Sequence, residues 1–183
     1  QRVSFGVGVD QTEVKLKENK GEGVIQKFLG AGKISETYLT YELSTGWSFN
    51  TLNSGLFPTR GASQNATLNI AIPGGDLSYF KFIYDGKYFR PINIDETWVL
   101  GFRTRSGFAE SLDDNDYPFY KNFFAGGRRT VRGYANNSLG PRNDTTTADI
   151  IGGNILISGT AEIIFPTPFI EDKDQKAKLA HEI

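Results

Sequence analysis

Residues 38–51 read Tyr38-Leu39-Thr40-Tyr41-Glu42-Leu43-Ser44-Thr45-Gly46-Trp47-Ser48-Phe49-Asn50-Thr51. Leu39, Tyr41, Leu43, Trp47 and Phe49 stand at odd positions, opposed by Thr40, Glu42, Ser44, Gly46, Ser48 and Asn50. An extended chain sends successive side chains to opposite faces, so a period of two marks a strand with one apolar and one polar face. The pattern recurs at about 2–10, 64–73, 79–90, 97–108 and 153–165. In the first copy Val3, Phe5, Val7 and Val9 oppose Ser4, Gly6, Gly8 and Asp10. Across the copies the polar faces hold Glu42, Lys81, Asp85, Lys87, Arg103, Arg105 and Glu162. A tilted strand of roughly ten residues spans a bilayer, and these segments are of that length. A soluble sandwich alternates too. Long strands with aromatic ends, and connections of alternating length, favour the membrane.

The fold expected is therefore all-β: about six strands of an antiparallel up-and-down transmembrane β-barrel, one partial barrel domain over residues 1–183. Six strands are too few to close such a barrel, since eight is about the minimum. Two open edges and a large apolar face then predict self-association through the strand edges. The chain reads as a middle piece: Gln1 leads almost at once into alternation, and Asp172-Lys173-Asp174-Gln175-Lys176 runs on to Ile183 without an aromatic closing strand.

Composition narrows the function classes. The 20 basic and 21 acidic residues balance, with no basic stripe of the kind that binds nucleic acid. Cysteine is absent, so no thiolate metal site or thiol nucleophile can be assembled, and His181, the single histidine, stands alone, which weighs against a metal site or a Ser-His-Asp arrangement around it. The expectation is a protein that is not an enzyme and carries no metal or cofactor. The chain has 21 glycines, 14 phenylalanines and 8 tyrosines. It lacks the long apolar run of a membrane helix, which a barrel does not need.

Connections supply polarity. Leu52 to Gly61 and Pro91 to Asp95 are the turns expected on the periplasmic side. The stretch Lys15–Lys33, the tight Pro73-Gly74-Gly75-Asp76 turn and the long connection 109–152 are expected outside. That connection is unusually long for a loop without its own periodicity, so it should be functional or disordered. Tyr117, Phe119, Tyr120, Phe123, Phe124 and Tyr134 need burial, and Gly126, Gly127 and Gly133 permit sharp turns. Together they point to a loop folded into the barrel lumen. The acidic run Asp113–Asp116 reads as a solvated tip, Trp47 and Trp98 as interfacial anchors, and Arg103 and Arg105 as ordinary lumen charges. Asn143-Asp144-Thr145 matches a glycosylation acceptor only formally.

The run Tyr117 to Tyr134 ends in Val131-Arg132-Gly133-Tyr134. It closely resembles the sixth extracellular loop of the BamA-like family of outer-membrane assembly factors, whose hallmark is Val-Arg-Gly followed by Phe or Tyr. Asn137 to Arg142, Gly152-Gly153-Asn154, Ala161-Glu162, Phe165-Pro166-Thr167-Pro168-Phe169 and the turn Leu56 to Gly61 extend the resemblance over nearly all the chain from Tyr38. Arg128 and Arg129 depart from it, standing where small polar residues are expected. The resemblance implies that Arg132 is drawn from bulk water and held by a lumen carboxylate, with Glu162 as partner. It further implies part of an insertase that folds and places other barrels in the bacterial cell outer membrane. The rest of such a protein includes periplasmic POTRA domains, not contained in these residues, and works with unfolded barrel substrates and assembly-complex lipoproteins. A two-partner-secretion exporter of the same superfamily and a passive porin-like barrel are the alternative readings.

Overall fold

The alternation fixes the sheet. In the computed structural model, which describes residues 1–16, 23–30, 32–142 and 149–166, the strands are β1 (Arg2–Lys15), β2 (Ser35–Asn50), β3 (Gly61–Ile72), β4 (Tyr79–Pro91), β5 (Val99–Ser111) and β6 (Ile155–Ile164). They form one antiparallel meander in chain order, each strand pairing with the next. Among the described residues β1 and β6 do not meet, so the sheet is open.

Register keeps the two faces separate from end to end. Val7 faces Leu43, Leu43 faces Ile70, and Ile70 faces Phe80. On the other face Asn65 is opposite Asp85, Asp85 opposite Arg105, and Arg105 opposite Ser158. A slip of one residue anywhere would mix the faces. The apolar face is the bare one: Phe5 is 81% and Ile157 82% exposed, whereas Tyr79 on the opposite face is 1%. A water-soluble sandwich would bury these side chains; exposure across the whole sheet is what a lipid-facing wall requires.

The packed core lies on the inner face at the loop end of the strands. Val14, Tyr38, Ala71 and Tyr79 project there and gather Phe28, Tyr117, Phe119 and Tyr120 from two connections. A second cluster joins Ala109 and Leu156 to Phe123. Fully burying one such aromatic contributes about 2–3 kcal/mol. Two short elements were absent from the alternation reading: helix α1 (Val24–Leu29), between β1 and β2, and a 3₁₀ turn at Phe119–Lys121 in the long connection. Phe28 of α1 meets Phe119 and Tyr120 edge-on, at 5.6 and 6.1 Å between ring centres. Lys27 pairs with Asp116 at 2.9 Å. The first connection thus caps the long one.

Several boundaries move. β1 runs to Lys15 rather than ending near Asp10, and β5 runs to Ser111, so the long connection starts later than residue 109. At the turn end, Trp47 stacks on Phe49 and Trp98 on Phe165, at 6.4 and 5.2 Å. Arg60 of one turn pairs with Glu96 of the next at 3.1 Å. His181, Asn143-Asp144-Thr145, the run from Asp172 and the Thr167-Pro168-Phe169 part of the proline motif lie outside the described residues.

Candidate functional site: a loop docked on the lumen face

The long connection turns back along the inner face of the sheet instead of leaving it. The 3₁₀ turn places Lys121 over β1 and β2, where its ammonium meets Asp10 at 2.8 Å and Glu42 at 3.1 Å. Tyr79 also donates its hydroxyl proton to Glu42. Burial pushes the Lys121 ammonium toward its neutral form, but the bonds to Asp10 and Glu42 outweigh it and leave the pKa raised. Beneath this point Lys81 of β4 donates to the Lys121 carbonyl and lies 4.5 Å from the centre of the Phe123 ring, a cation–π contact.

Phe123 fits because Gly107 has no side chain. A Cβ there would sit 2.5 Å from the ring. Reciprocal backbone bonds between Phe123 and Gly153, at 2.8 and 2.9 Å, then fasten the loop to the segment entering β6.

Beyond Phe124 the chain makes a narrow excursion. The Gly127 N–H donates to Tyr134 O at 3.1 Å, and Ala125 and Leu139 exchange backbone bonds at 3.0 and 3.1 Å. Gly126 and Gly127 both have positive φ, 106° and 89°. Added Cβ atoms would lie 2.3 Å from Ala135 O and 1.9 Å from Asn136 Oδ1 respectively. Glycine is therefore required at both for conformation and for space. Gly133 has φ 89° but open space around it.

The tip of this excursion carries Arg128, Arg129 and Arg132 to β5 and β6, with Val131 half-buried between them in the chain. Ser158 of β6 donates to Thr130 O at 3.2 Å. Arg132 Nη2 donates to Glu162 Oε2 at 3.1 Å, and Arg103 Nη2 stands 2.7 Å from Glu162 Oε1. The Arg103 contact is ionic rather than directed along an N–H, so Oε1 gains charge compensation without an aligned donor. Glu162 is thus clamped between a loop arginine and a strand arginine, its side chain only 14% exposed. Two of the anticipated surroundings differ. The Arg132 side chain is 60% exposed and Tyr134 is 56% exposed, because an open sheet leaves nothing on the far side of the tip.

Neither Lys121 as a second tether nor Arg103 as a partner of Glu162 is evident from the alternation or the loop motif. A signal existed for the first: a lone lysine inside an aromatic run, with Asp10 and Glu42 waiting on the polar faces.

Comparison with known proteins gives this arrangement its family. The model of the Omp85 superfamily domain matches residues 1–180. The chain belongs to the Omp85 superfamily. It is 33% identical over 136 residues to the outer membrane protein assembly factor BamA of Neisseria meningitidis serogroup B, covering 72% of this chain and 17% of that protein. A sorting and assembly machinery component 50 homolog of Mus musculus is 27% identical over 132 residues, covering 72% and 27%. The crystal structure of BamA from Haemophilus ducreyi lacking POTRA domains 1–3 superposes with a TM-score of 0.81 at 30% identity, over 94% of this chain and 36% of that one. The chain thus spans about a sixth to a third of the length of these relatives. Both named curated relatives are assembly components by name, and they come from a bacterium and a mammal.

Proposed function

We propose that these strands and their docked loop are part of an Omp85 insertase that folds other β-barrels into the bacterial outer membrane. The observation that carries this reading is the continuity of the match. Sheet and loop together superpose on a BamA barrel over 94% of the chain, and the loop is held by carboxylates on the inner face. Insertion of this kind needs positioning and no bond-making chemistry. Unpaired strand edges template incoming strands, while the docked loop braces the inner wall so that the sheet keeps its curvature. Glu162 receives the loop through Arg132, with Arg103 fixing the carboxylate in turn. The protein's setting on this account is the outer-membrane bilayer, with POTRA domains, unfolded barrel substrates and assembly-complex lipoproteins as its partners. The isolated six strands self-associate through the edges of β1 and β6.

Depletion of the full-length protein from its own organism, followed by quantification of outer-membrane proteins, tests the reading. An insertase predicts a fall in many barrel proteins, restored by the wild-type copy and poorly by Arg132→Ala. Loss of one secreted passenger alone would instead indicate an exporter.

A further inference from the structure

The loop tip closes a cleft of about 370 Å³ against β4, β5 and β6, and its lining is strongly cationic. Lys87, Arg103, Arg105, Arg128, Arg129 and Arg132 converge on it, against two carboxylates, Asp85 in the lining and Glu162 beside it. One of these carboxylates is already shared by Arg103 and Arg132, and the other stands 3.8 Å from Arg105. Among the described residues Lys87, Arg128 and Arg129 have no carboxylate within ion-pair distance. The chain as a whole carries a net charge of −1, so this surplus is local. Cations concentrated in a recess with protein walls focus a positive field. Planar guanidinium forks add geometry suited to paired oxygens.

The cleft also has a direction. Arg103 is the fourth residue beyond Val99, about 13 Å up the strand from the turn end at a rise of about 3.3 Å per residue. Lys87 stands opposite it in register. The aromatic plug of Tyr79, Tyr117 and Phe119 fills the inner face at the other end. Along the strands the cleft is therefore open toward the turn end and not toward the loop end, and the turn end is the side from which unfolded chains arrive in the insertase reading. We propose that it binds an acidic segment of polypeptide, whose carboxylates engage Arg128 and Arg129 on the loop and Lys87 on the wall. The source of that segment rests on the insertase reading; the chemistry of the cleft does not.

The test uses the full-length protein in nanodiscs and a fluorescein-labelled oligoglutamate peptide, with oligolysine as control. Fluorescence anisotropy is expected to show saturable binding that weakens as salt screens it. Replacing both loop arginines, Arg128→Ser with Arg129→Ser, should weaken binding about tenfold or more, while the barrel keeps its heat-modifiable gel mobility. No saturable binding, the outcome if carboxylates elsewhere in the barrel neutralise the cleft, overturns the proposal. So does unchanged affinity in the double variant, or equal binding of oligolysine. Assembly activity measured on the same preparation separates the two readings: activity without peptide binding sinks only the acidic-segment site.

Discussion

Lys121 and Asp10 lie 111 positions apart in the chain and 2.8 Å apart in space. That contact carries the long loop from its roots on β5 and β6 across the inner face to β1. Glu42 on β2 shares the same ammonium at 3.1 Å, and Glu162 on β6 takes Arg132 at the other end of the loop. One connection thereby ties together both edges of an open sheet.

Removing the ammonium should loosen the β1 end first. Lys121→Met leaves Asp10 and Glu42 facing each other's charge, and a tether of this partly buried kind is worth about 1–2 kcal/mol. A double-mutant cycle with Asp10→Asn, read by thermal unfolding of the full-length protein in detergent, should return a coupling energy of that size. A coupling near zero would make the contact incidental.

The same tether sets a pH limit. Because the Lys121 pKa is raised by folding, its contribution is complete below the ordinary lysine value of about 10.4 and fades as pH climbs through the folded-state value. Spin labels at Glu13 and Asn115 should hold one distance distribution up to about pH 10 and broaden above it. Lys121→Met should show the broad distribution throughout. A wild-type protein insensitive to alkaline pH would count against the tether.

Two glycines separate loop docking from strand stability. Gly107→Ala places a methyl 2.5 Å from the Phe123 ring and should cost about 1–3 kcal/mol, with faster proteolysis of the loop. Gly159→Ala, on the lipid face with nothing within 4 Å, should change stability by less than about 0.5 kcal/mol. Equal effects at the two positions would mean that Phe123 does not occupy the gap.

At Gly127 the conformational and the steric constraint can be separated. Gly127→Ala meets both a φ of 89° and Asn136 Oδ1 at 1.9 Å, whereas Gly133→Ala meets only the first. Strain at a positive φ costs about 1–2 kcal/mol, so thermal unfolding should rank Gly127→Ala as the worse variant. Adding Asn136→Gly should recover the steric part alone, bringing the pair level with Gly133→Ala. Failure of that rescue would place the damage elsewhere.

The strands were legible because lipid on one side and a polar lumen on the other enforce a period of two. The places where legibility failed have a common cause. Past Asp10 the faces trade character: Gln11, Glu13 and Lys15 point outward while Thr12 and Val14 point in, so the pattern looks broken although the strand continues to Lys15. Val14 turns apolar because the inner face there lies beneath α1 and the long loop. Tyr38, Tyr79 and Leu156 are apolar on the inner face for the same reason. α1 has six residues, too few for helical periodicity to declare itself. Arg132 and Glu162 could be named because the loop motif is distinctive. Lys121 could not, since its partners come from strands far away in sequence and only the folded sheet brings them together.

The docked loop should lie against the inner wall when the protein sits in its membrane. Ser158 Oγ is 3.2 Å from Thr130 O, and the chain has no cysteine of its own. A full-length protein with Thr130→Cys and Ser158→Cys, treated in native membranes with a short membrane-permeant bismaleimide that spans either side-chain orientation, should cross-link in high yield. Both thiols should then resist a membrane-impermeant maleimide applied from outside. Absence of the cross-link, together with ready external labelling at position 130, would contradict the docked loop and the insertase account built on it.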